Sequence, residues 1–312
     1  METRDPEQTN AVARPRISAV VCTRNRGDSV RAAVTTLLRN SHPDFEVIVI
    51  DQSTSEETAQ ALADLRSDPR FKYVRSTTVG VARSRNQGLR IAHGELVAFT
   101  DDDCEVPEDW LEILERVLLE YSRVAVAFCS VRAGPHDPSR GFVPAYDCQG
   151  TRIIGTMLAK CTARGIGAGL AVRRRAVLEL GGFDEALGPG ARFPSCEEGD
   201  LAVRALLAGH HICETDRTFT IHHGFRSWDE GRALAQRDWT GIGAAYAKPI
   251  KAGRWSFTLV PLYELLRMAL WPPLSDLMRL RRPRGLRRAF YFCRGFSEGL
   301  ATPLDRGMLL FR

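Results

Sequence analysis

Short apolar runs alternate with helical patterns through the first 130 residues, and this alternation limits the folds open to the chain. The apolar runs predict five strands, which are Ile17–Cys22, Phe45–Ile50, Phe71–Val74, Leu96–Thr100 and Val124–Phe128. Helical patterns separate them over residues 28–39, 54–66, 81–92 and 107–121. Strands alternating with helices of this length indicate βαβ units. The predicted fold class is therefore α/β, with a mostly parallel sheet flanked by helices.

Sequence signals also predict where these helices begin. Asp28 is a candidate N-cap, and Thr54 with Glu57 has the spacing of a capping box. Pro107 is predicted to begin the next helix, because proline is favoured in a first helical turn. A further helix is expected from Asp200 to Ala208.

Composition narrows the class of protein. At 312 residues the chain is long enough for one large domain or two smaller ones. Its net charge is only +5, which does not indicate a nucleic-acid partner. The eight cysteines lack CxxC or Cys/His zinc spacing, so we expect reduced thiols in a cytoplasmic protein.

Neither end of the chain predicts a membrane span. Residues 1–14 are polar and carry acids, which predicts a disordered tail and no secretory signal. The most apolar C-terminal stretch, residues 257–274, is interrupted by prolines and charged residues. A spanning helix needs about 20 predominantly apolar residues, so none is predicted here.

Three consecutive carboxylates, Asp101, Asp102 and Asp103, directly follow the fourth predicted strand. Like charges this close repel one another unless a positive charge lies among them. Mg²⁺ or Mn²⁺ would supply it, since both prefer oxygen ligands and share their shell with substrate phosphates. The triplet therefore predicts a metal-diphosphate site. The alternative is that these acids only stabilise the N-terminus of the helix predicted at Pro107.

Two further polar clusters follow strands one and two: Thr23, Arg24, Asn25 and Arg26, and then Asp51. Ligands of such sheets bind outside the carboxyl ends of the strands. Taken singly, Asp51 is as well explained as a turn residue, and Arg24 as a solvated side chain. Carboxylates, arginines and a triple acid at one edge together predict a pocket for a nucleoside diphosphate.

An ordered series of motifs resembles family 2 glycosyltransferases of the GT-A fold. Its members are residues 17–26, 47–51, 80–88, 94–103, 167–174, 181–184, 197–201 and 222–223. The resemblance implies a GT-A fold, which is Rossmann-like, in a catalytic domain over residues 15–225. A helical, basic C-terminal extension would then cover residues 226–312, after the disordered tail of residues 1–14.

The resemblance also implies roles for particular residues. The residues that it implies for nucleotide-sugar binding are Thr23, Arg24, Asn25, Asp51, Arg85, Asp101 and Asp102. The acids match the DxD signature of the family, and the metal ligands expected are Asp101, Asp103 and one of His222 and His223. Without the family match, Arg85 reads as a solvated helix residue and the two histidines as a packed strand end.

The general base is expected in the glutamate pair Glu197 and Glu198. Glu198 stands where the family usually has the aspartate of its "ED" pair, and the Glu-Glu sequence leaves both residues open. Without the resemblance, Glu198 is better explained as an ordinary first-turn acid.

The predicted function is metal-dependent, inverting transfer of a sugar from a nucleoside-diphosphate donor to the hydroxyl of an unidentified acceptor, with Mg²⁺ or Mn²⁺. One alternative is a sugar-nucleotide-binding protein without catalysis. Another is nucleotidyl transfer to a sugar phosphate, against which the lack of a glycine-rich, basic loop after strand one counts.

The C-terminal region adds a possible membrane contact. Six arginines lie between positions 279 and 288, beside Leu274, Leu277, Leu286, Phe290, Tyr291 and Phe292. Such a stretch can lie on an anionic membrane surface, here the inner face of the membrane. The alternative is a helix packed on the catalytic domain with a solvated arginine face. Pro283 and Gly285 exclude one long helix through the stretch.

Overall fold

The computed structural model describes residues 16–283, residue 285 and residues 287–312. The predicted tail of residues 1–14, together with Arg284 and Leu286 of the arginine-rich stretch, lies outside the described residues.

The described chain contains thirteen strands, five of which correspond to the predicted ones. They are β1 (Ile17–Thr23), β2 (Phe45–Asp51), β3 (Phe71–Arg75), β4 (Leu96–Asp101), β5 (Cys104–Glu105), β6 (Val124–Ala133), β7 (Gly141–Phe142), β8 (Arg152–Ile154), β9 (Leu170–Arg173), β10 (His211–His222), β11 (Arg226–Ser227), β12 (Leu304–Asp305) and β13 (Leu310–Phe311).

Eleven α-helices accompany these strands in the described part of the chain. They are α1 (Gly27–Leu38), α2 (Glu57–Ala61), α3 (Val81–Ile91), α4 (Trp110–Glu120), α5 (Met157–Lys160), α6 (Arg174–Glu179), α7 (Glu197–Leu207), α8 (Trp228–Lys251), α9 (Leu259–Tyr263), α10 (Trp271–Met278) and α11 (Arg287–Ala301). Short 3₁₀ turns cover Asp64–Ser67, Gly167–Gly169 and Trp255–Thr258, and a π-helical turn covers Glu264–Leu270.

The central sheet has nine strands in the order β3-β2-β1-β4-β9-β6-β10-β5, with β8 also paired to β10. Strands β3, β2, β1 and β4 are parallel, and β6 is parallel to β10. Because β9 is antiparallel to both β4 and β6, those two groups run in the same direction. The mostly parallel α/β sheet predicted from the sequence is confirmed.

Strand register brings the polar clusters to one edge of the sheet. Thr23 at the end of β1 lies opposite Asp51, the last residue of β2. On the other side of β1, Cys22 lies opposite Asp101, the last residue of β4. The carboxyl ends of three neighbouring strands therefore meet, as expected for a ligand site in such a sheet.

Several predicted helix starts are wrong. Helix α1 begins at Gly27, because the Arg26 carbonyl already accepts the first helical hydrogen bond, from the Val30 amide. Asp28 is therefore not its N-cap. Helix α2 is shorter than predicted and begins at Glu57 without a capping box. The Thr54 amide and hydroxyl instead donate to the Asn25 side chain.

The starts of α4 and α7 each differ from the predicted position by three residues, in opposite directions. Helix α4 begins at Trp110, since Pro107 lies in a turn whose carbonyl accepts from the Trp110 amide. Helix α7 begins at Glu197, so both candidate bases stand in its first turn.

Apolar side chains cover both faces of the sheet. One face packs on α1 and α4 through residues such as Val34 and Trp110. The other packs on α3, α6 and α7 through residues such as Leu89 and Leu201. The sheet is therefore a buried central layer, which suits the continuous apolar runs of its parallel strands.

A third apolar cluster joins the C-terminal helices to the rest of the molecule. Leu187, Phe193 and Val203 pack there with Trp239 of α8 and Phe292 of α11. Helix α11 therefore packs on the rest of the molecule. Such a packed helix is the alternative to a membrane contact that the sequence left open for the arginine-rich stretch. Helix α10 ends at Met278 and α11 begins at Arg287, so the stretch is not one long helix, as Pro283 and Gly285 predicted.

Among the described helices, none combines the length and apolar character needed to cross a bilayer.

Candidate active site

A cavity of about 590 Å³ opens at the carboxyl ends of β1 and β4. Most of the side chains singled out in the sequence line it: Thr23, Arg24, Arg85, Asp101, Asp102, Asp103, Glu197, Glu198 and His222. The fold thus brings residues more than 190 positions apart into one site.

Arginines compensate the acid triplet. The Arg26 Nη1 lies 2.9 Å from Asp102 Oδ1 and 2.8 Å from Asp103 Oδ2. The Arg85 Nη2 lies 3.3 Å from Asp101 Oδ1. Asp102 also accepts a hydrogen bond of 2.8 Å from the Thr23 hydroxyl. Protein side chains, Arg26 above all, therefore supply part of the positive charge that the sequence assigned to a metal ion alone.

Donor atoms of Asp101, Asp103, Cys104 and His222 all lie within 4.8 Å of one another. His222 donates from Nδ1 to the Pro144 carbonyl over 2.9 Å, so the neutral ring keeps its Nε2 lone pair free. That Nε2 lies 3.3 Å from Asp103 Oδ1. Two carboxylates and an imidazole suit Mn²⁺ or Mg²⁺. The residues present therefore fit a hard divalent cation.

Cys104 is the poorest ligand of this set. Burial and the neighbouring charges of Asp101 and Asp103 raise the pKa of its thiol well above the usual range. A protonated thiol is a weak ligand, since the thiolate is the form that binds metals.

The charges near Asp103 favour its ionised form. Burial acts against ionisation, yet His222 and Arg26 together lower the pKa of Asp103 to about 2. Burial alone would lower the pKa of His222, but its bonds to Asp103 and to the Pro144 carbonyl outweigh burial and raise that pKa.

The two neighbouring histidines point to different places. His222 lines the cavity, whereas His223 lies against a separate depression beside α1. The His223 Nε2 is 3.4 Å from Glu105 Oε1. Only His222 therefore joins the candidate metal ligands.

The two glutamates at the start of α7 also differ in their surroundings. Glu197 is buried, and its Oε1 lies 2.9 Å from Arg85 Nη1. Glu198 lines the cavity, and its buried Oε2 has no hydrogen-bond partner among the described residues. Cys196, the N-cap of α7, has a φ of 73°, an uncommon value for a residue other than glycine. A left-handed turn thus sets the direction in which this pair enters the site.

Burial raises the pKa of the Glu197 carboxyl, and the charge of Glu198 raises it further, while Arg85 acts in the opposite direction. The Arg85 guanidinium stays charged, because the carboxylates of Glu197 and Asp101 flank it. It therefore links the acid triplet to the glutamate pair. A Cβ on Gly167 would lie 2.5 Å from Arg85 Nη2, so a side chain there would displace it.

Asn25 and Asp51 are not among the residues that line the cavity. Asn25 holds the β1–α1 loop to the next loop, since its side-chain oxygen accepts from the Thr54 amide over 2.9 Å. The fully buried Asp51 accepts from the Tyr73 hydroxyl over 2.6 Å and from the Ser53 amide over 2.8 Å. Asp51 is thus buried outside the cavity lining, whereas Asn25 is an exposed loop residue.

Sequence reasoning missed the contribution of helix α8. Leu234, Asp238, Ile242 and Tyr246 line the cavity from this helix. Their spacing of four residues places them on one helical face, which is a signal in the sequence, but nothing local says what that face meets. Burial raises the pKa of Asp238.

Lys160 and Arg164 are further cavity residues that the sequence did not single out. Arg164 pairs with Glu264, whose Oε1 lies 2.5 Å from its Nη1. Lys160 is 8% exposed, and its Nζ donates to the Ala163 carbonyl over 3.3 Å. Burial and the nearby Arg164 lower the pKa of Lys160.

Comparison with solved structures identifies the fold class. A mannosyltransferase of Pyrobaculum calidifontis, solved with GDP-Man and Mn²⁺, is similar with a TM-score of 0.62 and 18% identity, over 93% of this chain and 88% of that one. Residues 1–349 of TarS from S. aureus, solved with UDP-GlcNAc, are similar with a TM-score of 0.60 and 16% identity, over 95% of this chain and 84% of that one. The predicted GT-A fold is confirmed.

The chain belongs to glycosyl transferase family 2, whose family model matches residues 18–181, more than half of its length. The resemblance seen in the sequence is therefore confirmed.

Curated relatives match over shorter segments. An uncharacterised glycosyltransferase of Rickettsia conorii is 31% identical over 98 residues, which is 31% of this chain and 16% of the relative. The GalNAc(5)-diNAcBac-PP-undecaprenol beta-1,3-glucosyltransferase of Campylobacter jejuni is 34% identical over 95 residues, covering 30% of this chain and 31% of the relative. The chain thus spans less than a third of the length of either relative.

Proposed function

We propose that the protein is a metal-dependent, inverting glycosyltransferase that uses a nucleoside-diphosphate sugar. The observation that carries the proposal is the free, buried Oε2 of Glu198, which lines the same cavity as the carboxylate and histidine donors. A base without a competing partner and a candidate cation site in one cavity are the two parts that direct displacement requires.

The donor diphosphate belongs beside the acid triplet. Asp101, Asp103 and His222 would hold Mn²⁺ or Mg²⁺, which supplies charge neutralisation for the diphosphate when bound. Thr23, Arg24 and Gln52 line the same side of the cavity and would face the nucleoside. The buried Asp51 would support the end of β2 beside that wall, and Asn25 would hold the two adjacent loops together. The metal complex of the Pyrobaculum mannosyltransferase, named for GDP-Man and Mn²⁺, agrees with this assignment.

Transfer breaks the bond between the sugar C1 and the diphosphate oxygen and forms a bond between C1 and the acceptor oxygen. Negative charge grows on the departing diphosphate, where Arg26 and Arg85 lie with the acids. Glu198 would take the proton of the acceptor hydroxyl on the opposite side. Attack from that side inverts the configuration at C1.

Glu197 takes a different part in the proposal. Its Oε1 is paired with Arg85, so we assign it the role of positioning the guanidinium, whereas Glu198 keeps an unpaired oxygen for the acceptor hydroxyl. Helix α8 and the segment with Lys160 and Arg164 form the remaining wall, where the acceptor would lie.

We also propose a cytoplasmic location, which the eight free cysteines support. A peripheral contact of the C-terminal helices would hold the enzyme at the inner face of the membrane.

Calorimetric titration with GDP and UDP tests the metal part of the proposal. In Mn²⁺, we expect one nucleoside diphosphate to bind, and chelator should abolish that binding because the diphosphate would then face the carboxylates directly. Asp103→Ala should weaken binding at least about tenfold, as one charged ligand is lost. Glu105→Ala, which removes a nearby acid outside the ligand set, is the control. Equal affinity in Mn²⁺ and in chelator would overturn the metal assignment.

A further inference from the structure

The helices after Lys251 carry an apolar surface that no other described part of the chain covers. Helix α9, the π-helical turn and α10 follow one another as one helical path from Leu259 to Met278. One side of this path packs on the protein through Val260, Glu264 and Ala269. The other side exposes apolar residues, mostly at intervals of three or four. With the preceding tryptophan they form the C-terminal apolar surface: Trp255, Leu259, Leu262, Leu266, Leu270, Trp271, Leu274, Leu277 and Met278.

Each of these nine side chains is between 43% and 72% exposed. A helix that is apolar on its buried side and on its outer side belongs in a core or in lipid, since exposure of a large apolar patch to water is unfavourable. Scattered single leucines need no such explanation, but a continuous row does. The surface therefore requires an occupant.

Charge indicates which occupant fits. Five exposed arginines lie in the same stretch: Arg254, Arg267, Arg279, Arg281 and Arg282. The two acids in residues 252–283 are Glu264 and Asp276, and both are buried. The apolar surface is thus bordered by positive charge, with exposed carboxylates absent from this fully described stretch.

We propose that the C-terminal apolar surface docks on an anionic lipid bilayer and lies in the plane of its headgroups. Leucines and tryptophans would enter the interface while the arginines meet lipid phosphates. A second copy of the chain fits less well, because a two-fold contact places the same arginines opposite one another.

The surface adjoins the cavity wall. The Cys161 thiol donates to the Leu259 carbonyl, with 3.9 Å between sulfur and oxygen, and Arg164 pairs with Glu264. Docking would therefore bring the wall formed by Lys160 and Arg164 close to the membrane. This surface shares Leu274, Leu277 and the arginines at 279, 281 and 282 with the stretch named in the sequence, but it begins earlier, at Trp255, and leaves out Phe292, which is buried against α8.

A local departure from α-helix explains how the surface forms. Pro272 and Pro273 have no amide hydrogen for the preceding turn, and the π-helical turn lies immediately before them. The carbonyl of Met268, which Pro272 leaves without its usual helical donor, accepts from Arg288 of α11 over 3.4 Å. The helix thereby continues through two prolines and keeps its leucines on one side.

Flotation of the full-length protein with phosphatidylglycerol/phosphatidylcholine vesicles tests the proposal. We expect binding at low salt that falls as salt rises and is weak on pure phosphatidylcholine. Leu266→Asp with Leu270→Asp should lower partitioning at least about tenfold, because two inserted side chains become charged. Leu119→Asp with Leu178→Asp changes exposed leucines elsewhere and should bind as the wild type does.

A second variant keeps the test independent of the leucines. Arg279→Gln, Arg281→Gln and Arg282→Gln together should weaken binding to anionic vesicles by roughly fivefold per arginine. The proposal is overturned if the wild type stays unbound at low salt, or if the leucine variant binds equally well. Light scattering that shows a dimer dissociated by Leu266→Asp, with no vesicle binding, would instead assign the surface to a second copy.

Discussion

Single residues separate the two glutamates that the sequence left equivalent. Glu197 and Glu198 are adjacent and chemically identical, so only their neighbours in space distinguish them. Arg85, 112 positions away from Glu197, engages that carboxylate. The Oε2 of Glu198 is left without a partner among the described residues. The proposed base is therefore the residue with an unused oxygen.

Glu198→Gln should leave nucleotide-sugar binding nearly intact while transfer falls at least about 10²-fold, because the amide keeps the shape but cannot take a proton. Glu197→Gln is the matched control and should slow transfer less, with a change in donor KM through its contact with Arg85. Turnover in donor-saturated assays, with binding followed by calorimetry, checks both. If the two variants exchange these effects, Glu197 is the base.

The acid triplet and the two histidines show which site residues the sequence predicts and which need the folded structure. Spacing after β4 indicated the acid triplet, because chain neighbours remain neighbours at a strand end. The choice of His222 over His223 needed the direction of β10, which points one ring to Asp103 and the other to Glu105. Arg26 was visible in the sequence, but its pairing with Asp102 and Asp103 depends on the approach of β1 to β4.

Among the elements, α8 and α11 show how closely two helices can approach. A Cβ added at Gly295 of α11 would lie 2.0 Å from the Thr240 carbonyl oxygen, and one at Gly243 of α8 would lie 2.2 Å from the Phe292 carbonyl oxygen. Glycines at these positions allow backbone contact between the helices. That contact fixes α8, which carries the cavity residues Asp238 and Tyr246, relative to α11.

Gly295→Ala should destabilise the protein, although alanine is the better helix former by about 1 kcal/mol. The added methyl group would overlap the Thr240 carbonyl, and such overpacking costs about 1–3 kcal/mol. Urea denaturation measures the difference in free energy of unfolding. Ser297→Ala, at an exposed position of the same helix, should change it by less than about 0.5 kcal/mol. A stabilised Gly295→Ala protein would contradict the observed packing.

Element boundaries were predicted best where apolar runs decided them and worst at helix starts. All five predicted strands form, because burial on both faces demands continuous apolar sequence. The start of α2 differs because a tertiary hydrogen bond from Thr54 to Asn25 replaces local capping, whereas α1 and α4 begin where local backbone hydrogen bonds, to Arg26 and to Pro107, place their first turns. The four-residue stripe of α8 had no local indication of its partner.

Across the whole molecule, a buried ion network ties the C-terminal helices to the glutamate pair. The Lys248 Nζ of α8 lies 2.5 Å from Asp184 Oδ2 and 2.7 Å from Asp200 Oδ1. Asp200 in turn accepts from Arg204 Nε over 2.8 Å, and both belong to α7, which carries Glu198. Removing one partner of such a network leaves a buried charge uncompensated.

The buried ion network joins the two segments that the sequence predicted as a catalytic domain and a C-terminal extension. We propose that residues 15–225 and 226–312 act as one catalytic unit, supported by the shared apolar cluster and by cavity residues contributed from both sides. The resemblance to the family ends near residue 225, because the motifs that carry it belong to the proposed donor site. The wall supplied by α8 is recognised only when the chain is folded.

The most direct test of the account measures the products formed from a panel of nucleotide sugars in Mn²⁺. We expect one donor to release its nucleoside diphosphate, with release lost in chelator and reduced at least about 10²-fold in Glu198→Gln. The sugar first transferred should have the opposite anomeric configuration to that in the donor, as seen by time-resolved NMR. Release of pyrophosphate from a nucleoside triphosphate and a sugar phosphate would contradict the account, as would a donor that binds without turnover in wild type and Glu198→Gln alike.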